Sequence, residues 1–284
     1  MSHDPFAKLT HAYHADFLHG PFLFVVLPMI LLEALYIAFV LKHDYDLKIT
    51  AASLGVALGN IVTKPITSLA ILLTFPFVAS FAPWRLPMDN GWVWIGAFIA
   101  TEFAYYWAHR FGHTIRWMWA THSVHHSSPA YALPSAVRLG WTNALSGDWL
   151  CYLPLMLLGF PPSMITILLT ANLAYQFFLH TELSPKWGVL EFVLNTPAHH
   201  RIHHASNDAY LDRNFGGVLI VFDRLFGTFA ADKGHEPVRF GLTTPINSSN
   251  PFIIAFAEWG RMFQDLAHSR SPREAFANLF GPPK

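Results

Sequence analysis

HRFGHTIRWMWATHSVHH, residues 109–126, and HHRIHH, residues 199–204, are the two stretches around which this chain is organised. The first holds His109, His113, His122, His125 and His126; the second holds His199, His200, His203 and His204. His109 and His113 stand four residues apart, so on a helix they lie one turn apart on one face. His122, His125 and His126 repeat that logic, as do His200, His203 and His204, and each group is expected to present a single face. His199, beside His200, points elsewhere on such a helix and is left out. Eight imidazoles are more than one ion can use. Two ions of five or six ligands would use them and keep open positions. A set rich in imidazole suits iron, zinc, copper or nickel rather than magnesium or calcium.

Outward from these boxes the chain is apolar. GWVWIGAFIATEFAYYWA, residues 91–108, runs directly into His109. Residues 22–41 form an apolar run of about twenty residues, enough to cross a bilayer, with Pro28 expected to kink it and Glu33 inside it without a visible partner. Residues 49–82 are apolar again but broken by Asn60, Lys64 and Pro65. That pattern predicts a helical hairpin of two short passes or two interfacial halves. PWRLPMDN (83–90) reads as a turn, and residues 149–159 and 163–180 as a fourth apolar pair split by the breaker Gly159–Pro162. Residues 252–268 have helical periodicity with one apolar face and predict an amphipathic helix lying on the membrane or on the catalytic region.

Composition agrees with a membrane-bound, metal-centred protein. Of 284 residues only 13% are charged, against about 25% in an ordinary soluble domain, while 53% are hydrophobic. Eighteen basic and eighteen acidic residues cancel, which leaves no basic excess for a nucleic-acid backbone. The single cysteine, Cys151, excludes an intrachain disulfide and a cysteine-based zinc or iron–sulfur site. Residues 1–19 are polar, carry His3, His11, His14 and His19, and read as a solvated tail or a short interfacial helix rather than a cleaved signal peptide. His43, His235 and His268 are isolated and expected in solvent. Arg110, Arg116 and Arg138 flank the first box and Arg201, Arg213 and Arg224 the second, which predicts that both face the cytoplasm. The crowd of Tyr105, Tyr106, Trp107, Trp117, Trp119 and Tyr131 reads mainly as interfacial anchoring, with one or two lining a lipid channel.

HRFGH, HSVHH and HHRIHH, with the apolar hairpin between them, resemble the membrane fatty acid hydroxylase / sterol desaturase superfamily. The flanking text WATHSVHHSSPAYAL, QFFLHTELSPKWGVLEFVLNTPAHHRIHHASN and FGGVLIVFDRLFGTF is similar too. Among the branches the chain most resembles the alkylglycerol monooxygenase-like and bacterial sterol desaturase-like ones. The resemblance spans roughly residues 90–245. It implies an all-α integral membrane bundle with a cytosolic, histidine-rich cap and a di-iron centre. Its divisions here would be membrane-anchoring helices over 1–90, a catalytic domain over 91–245 and an amphipathic tail over 246–284. The implied ligands are His109, His113, His122, His125, His126, His200, His203 and His204. Some relatives add an HxxxH pair between the later boxes; this chain has Gln176 and His180 there, so His180 becomes a ninth ligand and Gln176 a hydrogen-bonding group for iron-bound oxygen. Acids and amides near the boxes that could orient an imidazole are Glu102, Glu182, Asp208, Asp212, Asp223, Asn195 and Asn214.

The resemblance implies oxygen-dependent hydroxylation of a lipid C–H bond, on an acyl chain, alkylglycerol, aminolipid or sterol-like molecule, with desaturation on the same irons as the alternative. Electrons would come from a separate redox partner or a tetrahydrobiopterin-like reductant, because no haem, flavin or iron–sulfur signature is present. A histidine-rich metal transporter, a membrane haem protein and a zinc hydrolase fit less well. Transporters bind near the bilayer midplane, whereas these histidines follow the apolar runs.

Overall fold

In the computed structural model, residues 23–42, 44–234 and 236–284 are described. The expectations for residues 1–19, His43 and His235 lie outside them. The described chain is helical, with no strand and only two isolated bridges, Leu194 to Leu219 and Ala205 to Phe240.

The first helix, α1, covers Leu23–Leu35 and continues as a π-turn over Tyr36–Val40. Glu33 does have a partner: it is buried, and one carboxylate oxygen accepts the Leu133 N–H at 2.7 Å. The second helix, α2, runs unbroken over Leu47–Ala79 and corrects the expected hairpin. Asp46 starts it by accepting the Lys48 and Ile49 N–H groups at 2.8 and 2.9 Å. The apparent polar break is an anchor: Asn60 is buried and donates to the Gly140 carbonyl at 2.7 Å, while Pro65 and Pro76 stay within the helix. Among the described residues α2 is the one helix long and apolar enough to cross a membrane. Its Leu58, Val62, Ile66, Leu69, Leu73 and Phe77 are exposed.

Helix α3, Gly91–Thr114, is capped by Asn90, whose side chain accepts the Trp92 N–H at 2.9 Å. A single extended residue, Ile115, separates it from α4, Arg116–His126, so the two helices fold against each other. Short helices α5 (Leu133–Ala136), α6 (Asn143–Ser146) and α7 (Leu153–Leu157) lead into α8, Pro162–Phe177. The third box begins α9, Pro197–His203, and α10 covers Val221–Leu225. The predicted amphipathic helix is α11, Pro251–Ala267, followed by α12, Pro272–Phe280. Helix α11 lies along α4 and α2, burying Ile254, Ala255, Trp259 and Met262. The main apolar core joins Phe75 and Ala79 of α2, Ala97, Ala104 and Ala108 of α3, Leu155 and Met156 of α7, and Met164 and Ile165 of α8.

Two of the arginines read as topology markers are internal. Arg116 and Arg138 are both buried, and Arg116 pairs with Glu258 at 3.4 Å and Asp265 at 2.7 Å. The aromatic crowd also divides. Tyr106 and Tyr131 are buried and hydrogen-bonded to Thr228 and to the Leu179 carbonyl, so anchoring at an interface does not account for them.

Candidate metal centre

The fold gathers the nine histidines into two clusters. His109, His113, His122, His126 and His203 form one, and His125, His180, His200 and His204 the other; within each, every ligand atom lies within 4.8 Å of the rest. Both HxxHH boxes are therefore split between clusters, where each was expected to present one face. In α4, His122 and His126 turn to the first cluster and His125 to the second. In the third box, His203 goes to the first cluster and His200 and His204 to the second. The rings of His126 and His204 stack at 4.3 Å where the clusters meet. His199 belongs to neither and packs on Phe229. His268 is exposed.

Proton bookkeeping decides what these rings can bind. The His109 Nδ1–H donates to the Phe215 carbonyl at 2.8 Å, which leaves its Nε2 bare. That Nε2 stands 3.1 Å from His122 Nε2, which is itself 3.2 Å from His126 Nε2. One His122 proton cannot serve both neighbours. In the second cluster the His180 Nδ1–H donates to the Gln176 carbonyl at 2.7 Å, and the bare His180 Nε2 is 3.1 Å from the Nε2 atoms of both His125 and His200. Ring protons cannot satisfy every one of these contacts at once, because one lone pair cannot take protons in line from two neighbours, whereas a cation among the nitrogens satisfies them all. Imidazole nitrogens bound at about 2.1 Å and at right angles sit about 3.0 Å apart, which matches these separations. The buried Nε2 atoms of His113, His203 and His204 have no hydrogen-bond partner among the described residues. The donor set fits two metal ions.

Burial keeps the rings neutral. Desolvation pulls His109 and His180 down to about 4 and holds His113, His122, His125, His126, His200, His203 and His204 well below the ordinary histidine range, with mutual repulsion adding to the effect in those seven. Neutral imidazole is the form that binds metal. Aromatic rings close the site against water: Phe215 packs 5.2 Å from His113, Trp119 lies 5.1 Å from His113, and Tyr131 lies 5.3 Å from His204.

The orienting groups differ from most of those expected. Asp212 does approach an imidazole, its Oδ1 standing 3.4 Å from His113 Nδ1. Glu102 instead accepts the Val218 and Leu219 N–H groups at 2.8 and 2.9 Å and a proton of the Asn172 amide. It fixes a loop, not a ring. Asn195 donates to the Gly216 and Gly217 carbonyls. The Gln176 side chain is taken up by Tyr105 and Asn172, so its service to the site is its backbone carbonyl on His180. Glu182 and Asp208 are exposed. Asp223 accepts the Phe215 and Gly216 N–H groups, both at 2.7 Å, and so holds the carbonyl that His109 uses. Asn214 donates to the His199 and Ala230 carbonyls. Backbone carbonyls leave no mark in a residue pattern. The signal that was available is the turn-forming run Asp212-Arg213-Asn214-Phe215-Gly216-Gly217.

Residues 94–228 match the fatty acid hydroxylase family model. Alkylglycerol monooxygenase of Danio rerio is 44% identical over 180 residues, 63% of this chain and 40% of the relative. The Homo sapiens protein of the same name is 45% identical over 61% of this chain and 38% of the relative. Ornithine lipid hydroxylase OlsE of Rhizobium tropici is 31% identical over 50% of this chain and 41% of the relative. The chain thus spans about two fifths of the length of the curated relatives it matches. No solved structure matches it.

Proposed function

We propose, from the match of residues 94–228 to the fatty acid hydroxylase family model, that this protein is a membrane-bound di-iron oxygenase that hydroxylates a C–H bond of a lipid. The observation that carries this reading is the pair of adjoining clusters of five and four neutral imidazoles, with bare ring nitrogens turned inward. His109, His113, His122, His126 and His203 would hold one iron, and His125, His180, His200 and His204 the other. When bound, the irons supply the reduction of dioxygen and the oxidation of an unactivated C–H bond; the protein supplies ligation, a dry site and placement.

The chain's own residues have definable tasks. The Phe215 and Gln176 carbonyls hold the Nδ1 protons of His109 and His180, which commits Nε2 of each ring to the metal. Phe215, Trp119 and Tyr131 exclude water from the clusters. Helix α2, apolar and outward-facing, would seat the domain in a bilayer from which a lipid chain enters. Cytoplasmic placement is supported by Arg110, Arg201, Arg213 and Arg224, which reach the surface. The named relatives point to an alkylglycerol or an aminolipid as substrate class. The electrons would come from a separate partner or a soluble reductant.

The test is iron content of detergent-purified protein together with mass spectrometry of lipids from expressing cells, for the natural sequence and for His125→Ala. Two irons per chain and a lipid heavier by one oxygen, lost in the variant, is the expected result. A lipid lighter by two hydrogens would assign desaturation. One iron or none after iron-replete expression, with no altered lipid, would refute the reading.

A further inference from the structure

One short loop touches three of the five imidazoles in the larger cluster. Asp212 Oδ1 is 3.4 Å from His113 Nδ1, the Arg213 carbonyl accepts from His203 Nδ1 at 2.8 Å, and the Phe215 carbonyl accepts from His109 Nδ1 at 2.8 Å. These groups come from four consecutive residues because the backbone twists between them: Asp212 and Asn214 are left-handed, with φ of 56° and 57°. Several contacts hold the twist. Asn214 is fully buried, its amide donates to the His199 and Ala230 carbonyls at 2.9 and 2.7 Å, and its oxygen accepts the Ala230 N–H at 2.8 Å. Asp223 grips the next two N–H groups, and the Arg213 guanidinium donates to the Gly227 carbonyl at 3.0 Å.

The smaller cluster has no such element. His180 is tied to Gln176 of its own preceding turn, and His200 Nδ1 has no partner among the described residues. A ring whose outer nitrogen is held presents its inner nitrogen in one tautomer and one direction, and an anion beside the outer N–H makes the inner nitrogen the stronger donor. From this asymmetry we infer that the loop Asp212–Phe215 is the positioning element of the five-histidine cluster, with Asp212 its charged member, and that it makes this cluster the slow-releasing metal site and the four-histidine cluster the labile one. The inference rests on the metal-pair reading above and adds an order of release to it.

The test follows iron leaving the loaded, full-length protein after mixing with an excess ferrous chelator. Two phases of one iron each are expected. His180→Ala should abolish the fast phase and keep the slow one. Asp212→Gly, which retains the left-handed backbone but removes the carboxylate, should speed the slow phase by about tenfold or more, in line with the usual loss of metal affinity when such a partner is removed. Asp212→Asn, isosteric and uncharged, should fall between. In all Asp212 variants the fast phase should keep its rate. Release in a single phase, a slow phase indifferent to Asp212→Gly, equal acceleration of both phases, or loss of the slow phase in His180→Ala would each overturn this inference alone. Fewer than two irons in the natural protein would overturn the metal-pair reading together with it.

Discussion

Asn214 shows how much of this site rests on a residue that binds nothing in it. Its backbone is left-handed, a conformation an ordinary side chain adopts at a cost of roughly 1–2 kcal/mol, and its amide satisfies two buried carbonyls. Asn214→Ala strains the backbone and orphans those carbonyls, so a loss of about 2–4 kcal/mol of stability is expected, read by denaturant unfolding. Asn214→Gly avoids the strain and leaves only the orphaned carbonyls, so it should be milder. Glu102 makes the complementary case. It holds the Val218 and Leu219 N–H groups rather than an imidazole. Glu102→Gln should therefore lower the unfolding midpoint while the folded fraction keeps its full iron content; folded protein with one iron missing would contradict this. At this scale the candidate ligands that the structure brings together could be picked out in the sequence, and their supports largely could not. Histidine at turn spacing is written in residue names, whereas Phe215 and Arg213 act through carbonyls that every residue possesses.

At the scale of elements, α4 is where the site meets the rest of the fold. It carries three of the imidazoles, and its first residue, Arg116, is buried against Glu258 and Asp265 of α11, with Arg261 and Lys284 pairing the same acids. The Arg116 N–H also donates to the Gly281 carbonyl at 2.9 Å beyond α12. Arg116→Ala leaves Glu258 buried with only the longer Arg261 contact, and a loss of about 3 kcal/mol is expected, checked by thermal unfolding in detergent. The amphipathic period of residues 252–268 did foretell α11. It left open whether the apolar face lies on a membrane or on the histidine-box region, because periodicity gives a face and not its partner; the face is spent on α4 and α2. The reading of α2 failed for a related reason. Asn60 looks like a break when counted along the chain and is an anchor when Gly140 is brought beside it.

For the molecule as a whole, seventeen histidines with nine held neutral make proton concentration a direct opponent of the fold. The unfolded chain takes up protons near pH 6.5, while burial holds His109 and His180 neutral down to about 4 and the other seven rings neutral well below the ordinary histidine range. The unfolded state therefore binds more protons between these limits, and stability falls as pH drops through that window, being complete above it. Metal-free protein should show an unfolding midpoint that is flat from pH 8 to about 7 and declines steadily toward pH 5; a midpoint that rises on acidification would contradict the neutral clusters. The all-helical class was implied by the resemblance and agreed with the long apolar runs, but the division of each HxxHH box between two clusters was not legible, since it depends on how α3, α4, α8 and α9 cross. That division has a kinetic side. Neither cluster is complete locally: one must bring His109 to His203 and the other His125 to His204, so each requires the chain between those residues to close before its set is whole. Loop closure is an entropic barrier that must be crossed before distant contacts repay it. A half-folded or half-synthesised chain thus holds only part of either donor set, and both sets are complete only in chains whose topology is already correct.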